Sequence, residues 1–321
     1  MTIKKVCVLG GAGFVGSSIV TKLDAAGYKI KVLTRHRERA KHLILLPNVE
    51  VHECDFANSN ALTAALKGCE ASINLIGILH ESGKSSFEAV HHQLPRRIAQ
   101  ACEEVGIKRL LHMSALRASK YAPSQYLRTK AAGEEAISEF SKKLDITIFK
   151  PSVIFGRGDS FLNLFTVIVR YSPVILLAKP EARFQPIWVE DVASAVVNAL
   201  DDTRTYDRTY ELGGPTVYTL RDMVQKVMET LGMAKPVIGL NKAFSYLLGF
   251  TLEWLPGKLM TRDNVRSMEV DSVTEAPIAE ALAVRLTALE VIIPDYLASN
   301  TPRAAYSAYR SEAGRAIHVR R

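Results

Sequence analysis

The segment from residue 6 to residue 16, VCVLGGAGFVG, constrains the fold more than any other part of this chain. A short apolar run ends in glycines that fit two spacings, Gly11-x-Gly13-x-x-Gly16 and Gly10-x-x-Gly13-x-x-Gly16, and a helical pattern follows at once. Glycines let the backbone turn tightly and let phosphate oxygens approach without a Cβ in the way. Free N–H groups at the helix N-terminus then favour an anion. The segment therefore predicts a strand–turn–helix unit that holds a diphosphate.

The end of the second predicted strand, residues 30–33, indicates which dinucleotide this unit would hold. An NAD site places a carboxylate there, about 20 residues after the glycines, to bind the ribose 2′-hydroxyl. This chain instead has Thr34 and Arg35, followed by Arg37 and Arg39. An arginine can donate two parallel hydrogen bonds to a 2′-phosphate. A solvated arginine loop is the alternative, but the spacing from the glycines favours phosphate, and we expect NADP(H).

Strand and helix patterns alternate through the first half of the chain. Residues 49–54, 71–76 and 108–114 have the pattern of further strands, and residues 60–67 and 85–105 have that of helices. Alternation with short connections predicts a doubly wound (Rossmann) parallel sheet with helices on both faces. Ligands bind at the carboxyl edge of such a sheet, so the side chains that follow each strand are the candidate site residues.

Three of these residues are assigned to the adenine end and the middle of the cofactor. Asp55 and Phe56 follow the third strand. There Asp55 can accept a hydrogen bond from the adenine amine and Phe56 can cover one face of the base, although Asp55 could equally cap a helix. Gly77 closes the fourth strand, where a glycine lets the backbone pass close to the cofactor.

The candidate catalytic pair is Tyr126 and Lys130, which are four residues apart in a predicted helix that begins near Ser124. This spacing places both side chains on one helix face. An ammonium beside a phenol favours the phenolate, so we expect Lys130 to lower the pKa of Tyr126. The fifth strand, which ends at Ser114, precedes this pair.

The order of these motifs resembles the short-chain dehydrogenase/reductase superfamily, in its extended or atypical form. The resemblance implies that Tyr126 acts as acid and base, that Lys130 assists it, and that a serine near Ser114 orients the substrate. Leu116 stands where extended members carry the orienting hydroxyl. The resemblance assigns Lys150, Pro151 and Val153 to the loop that lines the nicotinamide.

Three later segments, residues 150–156, 185–193 and 255–265, resemble one atypical branch of this superfamily. That branch contains the 39-kDa accessory subunit of respiratory complex I and free-standing bacterial relatives, and the resemblance covers about residues 3–270. It implies tight NADP(H) binding. Two functions stay open: an NADPH-dependent reductase or epimerase acting on a carbonyl or hydroxyl substrate, and a non-catalytic NADPH-holding protein of a respiratory or quinone-biosynthesis complex.

The residue patterns and the resemblance together give one set of candidate residues. The catalytic set is Tyr126, Lys130 and Ser114. The cofactor-binding set is Gly10, Gly11, Gly13, Phe14, Val15, Gly16, Thr34, Arg35, Asp55, Phe56, Gly77, Ser114, Lys130, Lys150, Pro151 and Val153. No metal site is predicted, because no cysteine or histidine has metal-ligand spacing.

The alternation stops near residue 155, which predicts a second structural unit. Residues 1–157 are expected to form the NADP-binding domain, to which residues 185–213 return. Residues 158–184 and 214–300 are expected to form a smaller, mostly helical lobe for a substrate or partner, and residues 301–321 a basic tail.

The oily stretches 161–178 and 237–256 are assigned to lobe helices or a partner surface, with a membrane interface as the alternative. A hydrophobic, quinone-like ligand or a membrane-associated complex is the expected further partner. The net charge of +8 is compatible with an anionic ligand, membrane surface or nucleic acid, but no nucleic-acid recognition motif accompanies it.

No uninterrupted apolar stretch has membrane-spanning length. The four cysteines are expected to be reduced and buried, which favours a cytoplasmic protein, either free or peripheral at the inner face of a membrane. The sequence carries no signal for an oligomeric state.

Overall fold

A computed structural model describes residues 3–83, 85–254 and 259–298 of this chain. Its strands are β1 Lys5–Leu9, β2 Lys29–Thr34, β3 Val49–Glu53, β4 Ala71–Asn74, β5 Arg109–Met113, β6 Asp145–Pro151, β7 Ile154–Phe155, β8 Ile175–Ala178, β9 Arg183–Phe184, β10 Ile187–Trp188, β11 Arg208–Leu212, β12 Tyr218–Thr219 and β13 Val237–Leu240. Its α-helices are α1 Phe14–Ala25, α2 Ser59–Leu66, α3 Leu94–Val105, α4 Gln125–Ser138, α5 Phe161–Tyr171, α6 Val189–Leu200, α7 Leu220–Leu231, α8 Lys242–Glu253, α9 Arg262–Ser267 and α10 Leu289–Leu297. Short 3₁₀ segments cover Arg37–Leu43, Thr203–Thr205 and Glu280–Leu282, and a π-helix covers Glu88–Gln93.

The central sheet has seven parallel strands in the order β11-β6-β5-β4-β1-β2-β3. The chain builds outward from β1 through β2 to β3, then crosses to β4 and continues in the other direction. This reversal opens a crevice at the carboxyl ends of β1 and β4, where doubly wound sheets bind ligands. The predicted fold class, a doubly wound parallel sheet with a smaller helical lobe, is confirmed.

Two apolar layers cover the sheet. On one face α1 and α6 pack together over Val6, Val8 and Ile73, and on the other α2, α3 and α4 cover Cys7 and Leu9. Alternate residues of β1 therefore point to opposite faces, as the period of two in a strand requires. Because both faces are covered at the centre of the sheet, β1 is an apolar run after Lys5, which is why the sequence pattern identified it.

The structure differs from the predicted elements in two helical stretches. Residues 161–178 form helix α5 only as far as Tyr171, and β8 follows, because Pro173 excludes the helical conformation at the residue before it. Residues 85–105 do not form one α-helix: Glu88–Gln93 is a π-helix and only Leu94–Val105 is α-helical. The π-helix carries an extra residue, which turns the side chains of this segment towards α4.

A third apolar core lies in the lobe, where α5, α7 and α10 pack around β8. Residues 278–286 differ from the expected organisation, because Leu282 is buried in the core of the central sheet and Ile278 and Leu286 pack against it. The chain therefore returns from the lobe to the α1–α6 face late in its course. The predicted basic tail, residues 301–321, lies outside the described residues.

Candidate functional site

The glycine segment forms a tight turn at the carboxyl end of β1. Gly10 has a φ of +81°, and a Cβ on Gly16 would lie 2.3 Å from the Gly10 carbonyl oxygen, so backbone packs against backbone here. Gly13 is the N-cap of α1, and no side chain of the described residues accepts a hydrogen bond at this cap. The first turn of α1, which holds Phe14, Val15 and Gly16, therefore offers backbone N–H groups to an anion, and the predicted diphosphate fits this turn.

Arg35 lies at the carboxyl end of β2, directly after the buried Thr34. Its side chain is exposed, and its Nη1 donates a 3.5 Å hydrogen bond to the Ser85 hydroxyl. The carboxylate of Glu53, the last residue of the neighbouring strand β3, accepts a 2.7 Å hydrogen bond from the backbone N–H of Arg37 and not from Arg35. Arg35 therefore presents a guanidinium at the strand end where the sequence predicts a 2′-phosphate.

Asp55 and Phe56, the residues assigned to adenine, have different environments. Asp55 is exposed, and its Oδ1 accepts a 3.0 Å hydrogen bond from the Ala57 N–H, while Asn58 rather than Asp55 caps α2. Phe56 is buried in the core under α2 and α3, and that its ring covers an adenine face stays a prediction. An aromatic side chain gains more by burial in that core than on the rim of the sheet.

The expected electrostatic pairing of Tyr126 with Lys130 is absent. Burial raises the pKa of the Tyr126 phenol to about 12 instead of an ammonium lowering it. The Lys130 ammonium donates a 3.0 Å hydrogen bond to the Met113 carbonyl oxygen, and burial lowers the pKa of Lys130 to about 8. The two residues share a helix face as predicted, but the lysine reaches the end of β5 rather than the phenol.

His91 packs beside Tyr126, and it is not among the site residues predicted from the sequence. Its Nε2 accepts a 3.0 Å hydrogen bond from the Ile78 N–H, so its Nδ1 carries the proton and faces the Thr129 hydroxyl at 3.2 Å. Its ring meets the Tyr126 ring edge to face at 5.3 Å. A Cβ on Gly77 would lie 3.2 Å from Lys130 Nζ. The backbone that is predicted to pass close to the cofactor at Gly77 therefore lies directly beside the lysine. The π-helix that carries His91 has no distinctive sequence pattern.

Ser114 and Lys150, both assigned to the cofactor, meet on Glu134 of α4. The Ser114 hydroxyl donates to one carboxylate oxygen of Glu134, and Lys150 Nζ lies 3.0 Å from the other. These contacts tie α4 to the ends of β5 and β6. The Glu134 carboxylate thus binds both side chains, and their direct contact with the cofactor stays a prediction.

Leu116, Pro151 and Val153 lie beside this network. Leu116 is buried, and its N–H donates a 2.9 Å hydrogen bond to the Pro151 carbonyl oxygen. Val153 is half-buried and packs against the lobe core. An apolar side chain thus fills the position where the resemblance leads one to expect an orienting hydroxyl.

A polar cleft of about 280 Å³ lies at the N-terminus of α4, between the lobe and the segment that follows β4. Its walls are His80, Glu81, Phe87, Gln125, Glu253, Thr261, Arg262, Asp263 and Arg266. The Asp263 carboxylate accepts hydrogen bonds of 2.7 and 2.9 Å from the Gln125 and Tyr126 N–H groups. A lobe side chain thus stabilises the N-terminus of the helix that carries the candidate catalytic pair.

The pKa of Lys130 predicts a pH dependence of stability. Because burial lowers this pKa from 10.5 to about 8, the unfolded chain binds more protons than the folded chain between those values. Stability from this group should therefore rise with pH across that range, by on the order of 2 kcal/mol between about pH 8 and about pH 10. The difference in free energy of unfolding between wild type and Lys130→Met, measured by urea denaturation, should show this rise. A difference that stays constant with pH would contradict it.

Comparisons with known proteins agree with this geometry. A family model described as the NAD dependent epimerase/dehydratase family matches residues 6–213. The mitochondrial NADH dehydrogenase (ubiquinone) 1 alpha subcomplex subunit 9 of Mus musculus is 33% identical over 88% of this chain and 77% of its own length. Its counterpart in Arabidopsis thaliana is 30% identical over 89% of this chain and 73% of its own. An NADPH-complexed quinone oxidoreductase, QOR2, from Escherichia coli shares the fold, with a TM-score of 0.73 and 17% identity over 89% of this chain and 97% of that chain.

Proposed function

This chain belongs to the NAD dependent epimerase/dehydratase family, in the branch of the mitochondrial NADH dehydrogenase subunits, and we propose that within it the chain binds NADP(H). The observation that carries the proposal is Arg35, an exposed guanidinium at the end of β2 without a carboxylate in the strand-end position. The glycine turn would hold the diphosphate, and Lys130 beside Gly77 would hold the nicotinamide ribose. A 2′-phosphate on Arg35 would distinguish NADP(H) from NAD(H).

The first candidate activity is reduction of a carbonyl. NADPH, when bound, supplies the hydride, and Tyr126 supplies the proton. A phenol with a pKa of about 12 stays protonated at neutral pH, so it is suited to donate a proton to a carbonyl oxygen and poorly suited to remove one from an alcohol. Quinone-like carbonyls are the first substrate class to test, since the fold neighbour QOR2 carries that activity in its name.

The second candidate function is to hold NADPH without turning it over, as part of a respiratory or quinone-biosynthesis complex. A specific observation favours it: Glu134 binds the Ser114 hydroxyl, and the buried Leu116 replaces the orienting hydroxyl. The site would then bind the cofactor but lack a group that orients a substrate. In this function the chain associates with a membrane-bound complex from the cytoplasmic side, as a peripheral protein.

Tyr126→Phe separates the two functions. With a panel of quinones and other carbonyls, the substitution should leave the NADPH-dependent rise in melting temperature intact, because cofactor binding does not use the phenol. It should lower NADPH oxidation by about 100-fold, the usual contribution of a general acid. Cofactor absorbance gives the rate, and Tyr121→Phe, whose ring is 84% exposed, is the matched control.

Two results would decide against the reductase. If Tyr126→Phe oxidises NADPH as fast as wild type, the phenol is not the acid. If wild type oxidises no NADPH with any carbonyl of the panel while NADPH still raises its melting temperature, the holding function is the correct one.

A further inference from the structure

Helix α8 has its apolar face turned away from the protein. Phe244, Leu247, Phe250 and Trp254 are 58, 54, 41 and 79% exposed. Their offsets of 0, 3, 6 and 10 residues place them within about one third of the circumference of a helix that continues to Trp254. A helix on the surface of a soluble domain has the opposite arrangement, with its apolar stripe facing the core.

The small residues of α8 explain why this face cannot turn inward. The Ser245 hydroxyl donates to the Leu240 carbonyl oxygen and accepts from the Lys179 N–H, both at 3.1 Å. A Cβ on Gly249 would lie 3.0 Å from the Val265 side chain, so α8 and α9 pack at close range. Ser245 and Gly249 are the two buried residues of α8. The sequence therefore fixes the orientation of the helix and leaves its aromatic residues exposed, as a contiguous patch.

Cations border this patch. The Arg262 guanidinium lies 5.2 Å from the Phe250 ring centre, and the Arg266 guanidinium lies 5.6 Å from that of Tyr246. Lys242, in the first turn, has a side chain that is 77% exposed. Two carboxylates pair with this set, Glu253 with Arg262 and Glu269 with Lys242, and the chain as a whole carries +8. Aromatic rings beside arginine and lysine are the composition of a helix that lies in a lipid headgroup layer.

We propose that α8 docks this chain on the surface of a bilayer that contains anionic lipid. Phe244, Leu247, Phe250 and Trp254 enter the boundary between headgroups and acyl chains, and Lys242 and the two arginines contact lipid phosphates. The helix lies flat, since no helix in the described part of the chain is long and apolar enough to cross a membrane. This proposal makes the membrane association of the proposed function more specific, and it rests on the proposed function only for its biological setting.

The docked orientation has a consequence for the cleft. Arg262 and Arg266 contact the aromatic rings of α8 and also line the cleft at the N-terminus of α4. A bilayer that covers α8 would therefore lie next to this wall of the cleft. A carbonyl substrate carried in the membrane could reach the cleft from the bilayer without crossing water.

Vesicle binding tests the proposal directly. Vesicles of equal parts phosphatidylcholine and phosphatidylglycerol should sediment the protein, with an affinity about fivefold or more above that for phosphatidylcholine alone. The three cations exceed the two paired carboxylates by one charge, and one positive charge near an anionic surface contributes about 1 kcal/mol. In a Trp188→Phe background, Trp254 emission should shift to shorter wavelength on binding. The double variant Phe244→Ser and Leu247→Ser should weaken binding by about tenfold or more, given the apolar area that it removes.

The matched control is Val167→Ser with Tyr171→Ser on α5, where the two side chains are 53 and 82% exposed. This pair should bind vesicles as wild type does, and both double variants should keep the wild-type melting temperature. Failure of wild type to bind anionic vesicles overturns the proposal, as does an equal loss in both double variants. If wild type binds no vesicles but binds a protein partner that the α8 double variant no longer binds, the exposed face of α8 belongs to that partner instead. If NADPH does not raise the melting temperature while the protein still binds vesicles, the result counts against the proposed function alone.

Discussion

Replacing Arg35 by glutamate is expected to lower the affinity for NADPH by roughly 1000-fold. The loss of two charge-assisted hydrogen bonds to a 2′-phosphate, together with repulsion by the new carboxylate, should cost about 4 kcal/mol. NADH has a 2′-hydroxyl there and should bind the variant as well as or better than wild type. Arg35 is exposed at the end of β2, so the substitution should leave the fold intact. Isothermal titration with both cofactors measures the effect.

Arg39→Glu is the control for this prediction. Arg39 belongs to the same arginine-rich segment and is exposed, but it lies within the 3₁₀ segment that follows β2 rather than at the strand end. Its substitution adds the same charge and should weaken NADPH binding only through screened, longer-range repulsion. Wild-type protein that prefers NADH, or equal losses in the two variants, would refute the assignment of the 2′-phosphate to Arg35.

Replacing Arg109 by methionine should lower the free energy of unfolding by about 4 kcal/mol, because several buried acceptors lose their donor at once. Arg109 is 2% exposed at the start of β5. Its guanidinium nitrogens lie 2.7–3.1 Å from five acceptors, which are the carbonyl oxygens of Asp145, Ala199 and Leu200 and the hydroxyls of Thr147 and Thr205. It thus binds the last carbonyls of α6, where the helix dipole also favours a cation.

Arg204→Met is the control for Arg109→Met. The Arg204 side chain is 71% exposed and pairs with Asp202, two residues away, so its loss should leave the free energy of unfolding close to that of wild type. Urea denaturation of both variants measures the two free energies. Similar losses would show that the Arg109 network does not stabilise the attachment of α6 to the sheet.

Local motifs located the predicted cofactor residues, and tertiary contacts decided the surroundings of the predicted catalytic residues. The glycine turn and Arg35 lie where the sequence places them because both depend on strand ends, which the apolar pattern locates. Tyr126 and Lys130 share a helix face, as their spacing requires, but the direction of the Tyr126 pKa shift was predicted wrongly. That shift depends on burial by Phe87 and His91, and neither contact follows from spacing within α4.

The segment at residues 255–265 shows the same limit. The sequence singles it out by resemblance. In its described part Thr261 and Asn264 form a reciprocal cap on α9, and Asp263 accepts hydrogen bonds from the N-terminus of α4. The cap is a local pattern that can be recognised from residue types. The contact with α4 joins residues 138 positions apart in the chain, and no local pattern encodes it.

The sequence by itself determined the parallel sheet, the glycine turn after β1 and the guanidinium at the end of β2, because each depends on short-range periodicity, glycine conformation and strand ends. Only the tertiary structure decided that Glu134 binds Ser114 and Lys150, and that His91 accepts from the Ile78 N–H while its ring packs against Tyr126. It also decided that α8 turns its aromatic face outward. These features depend on which buried polar groups contact each other and on which face of a helix packs against the rest of the protein. Both are decided by contacts between residues that are distant in sequence. The predicted strands and turns fix where the cofactor would lie, and the long-range contacts set the environment in which the candidate catalytic residues act.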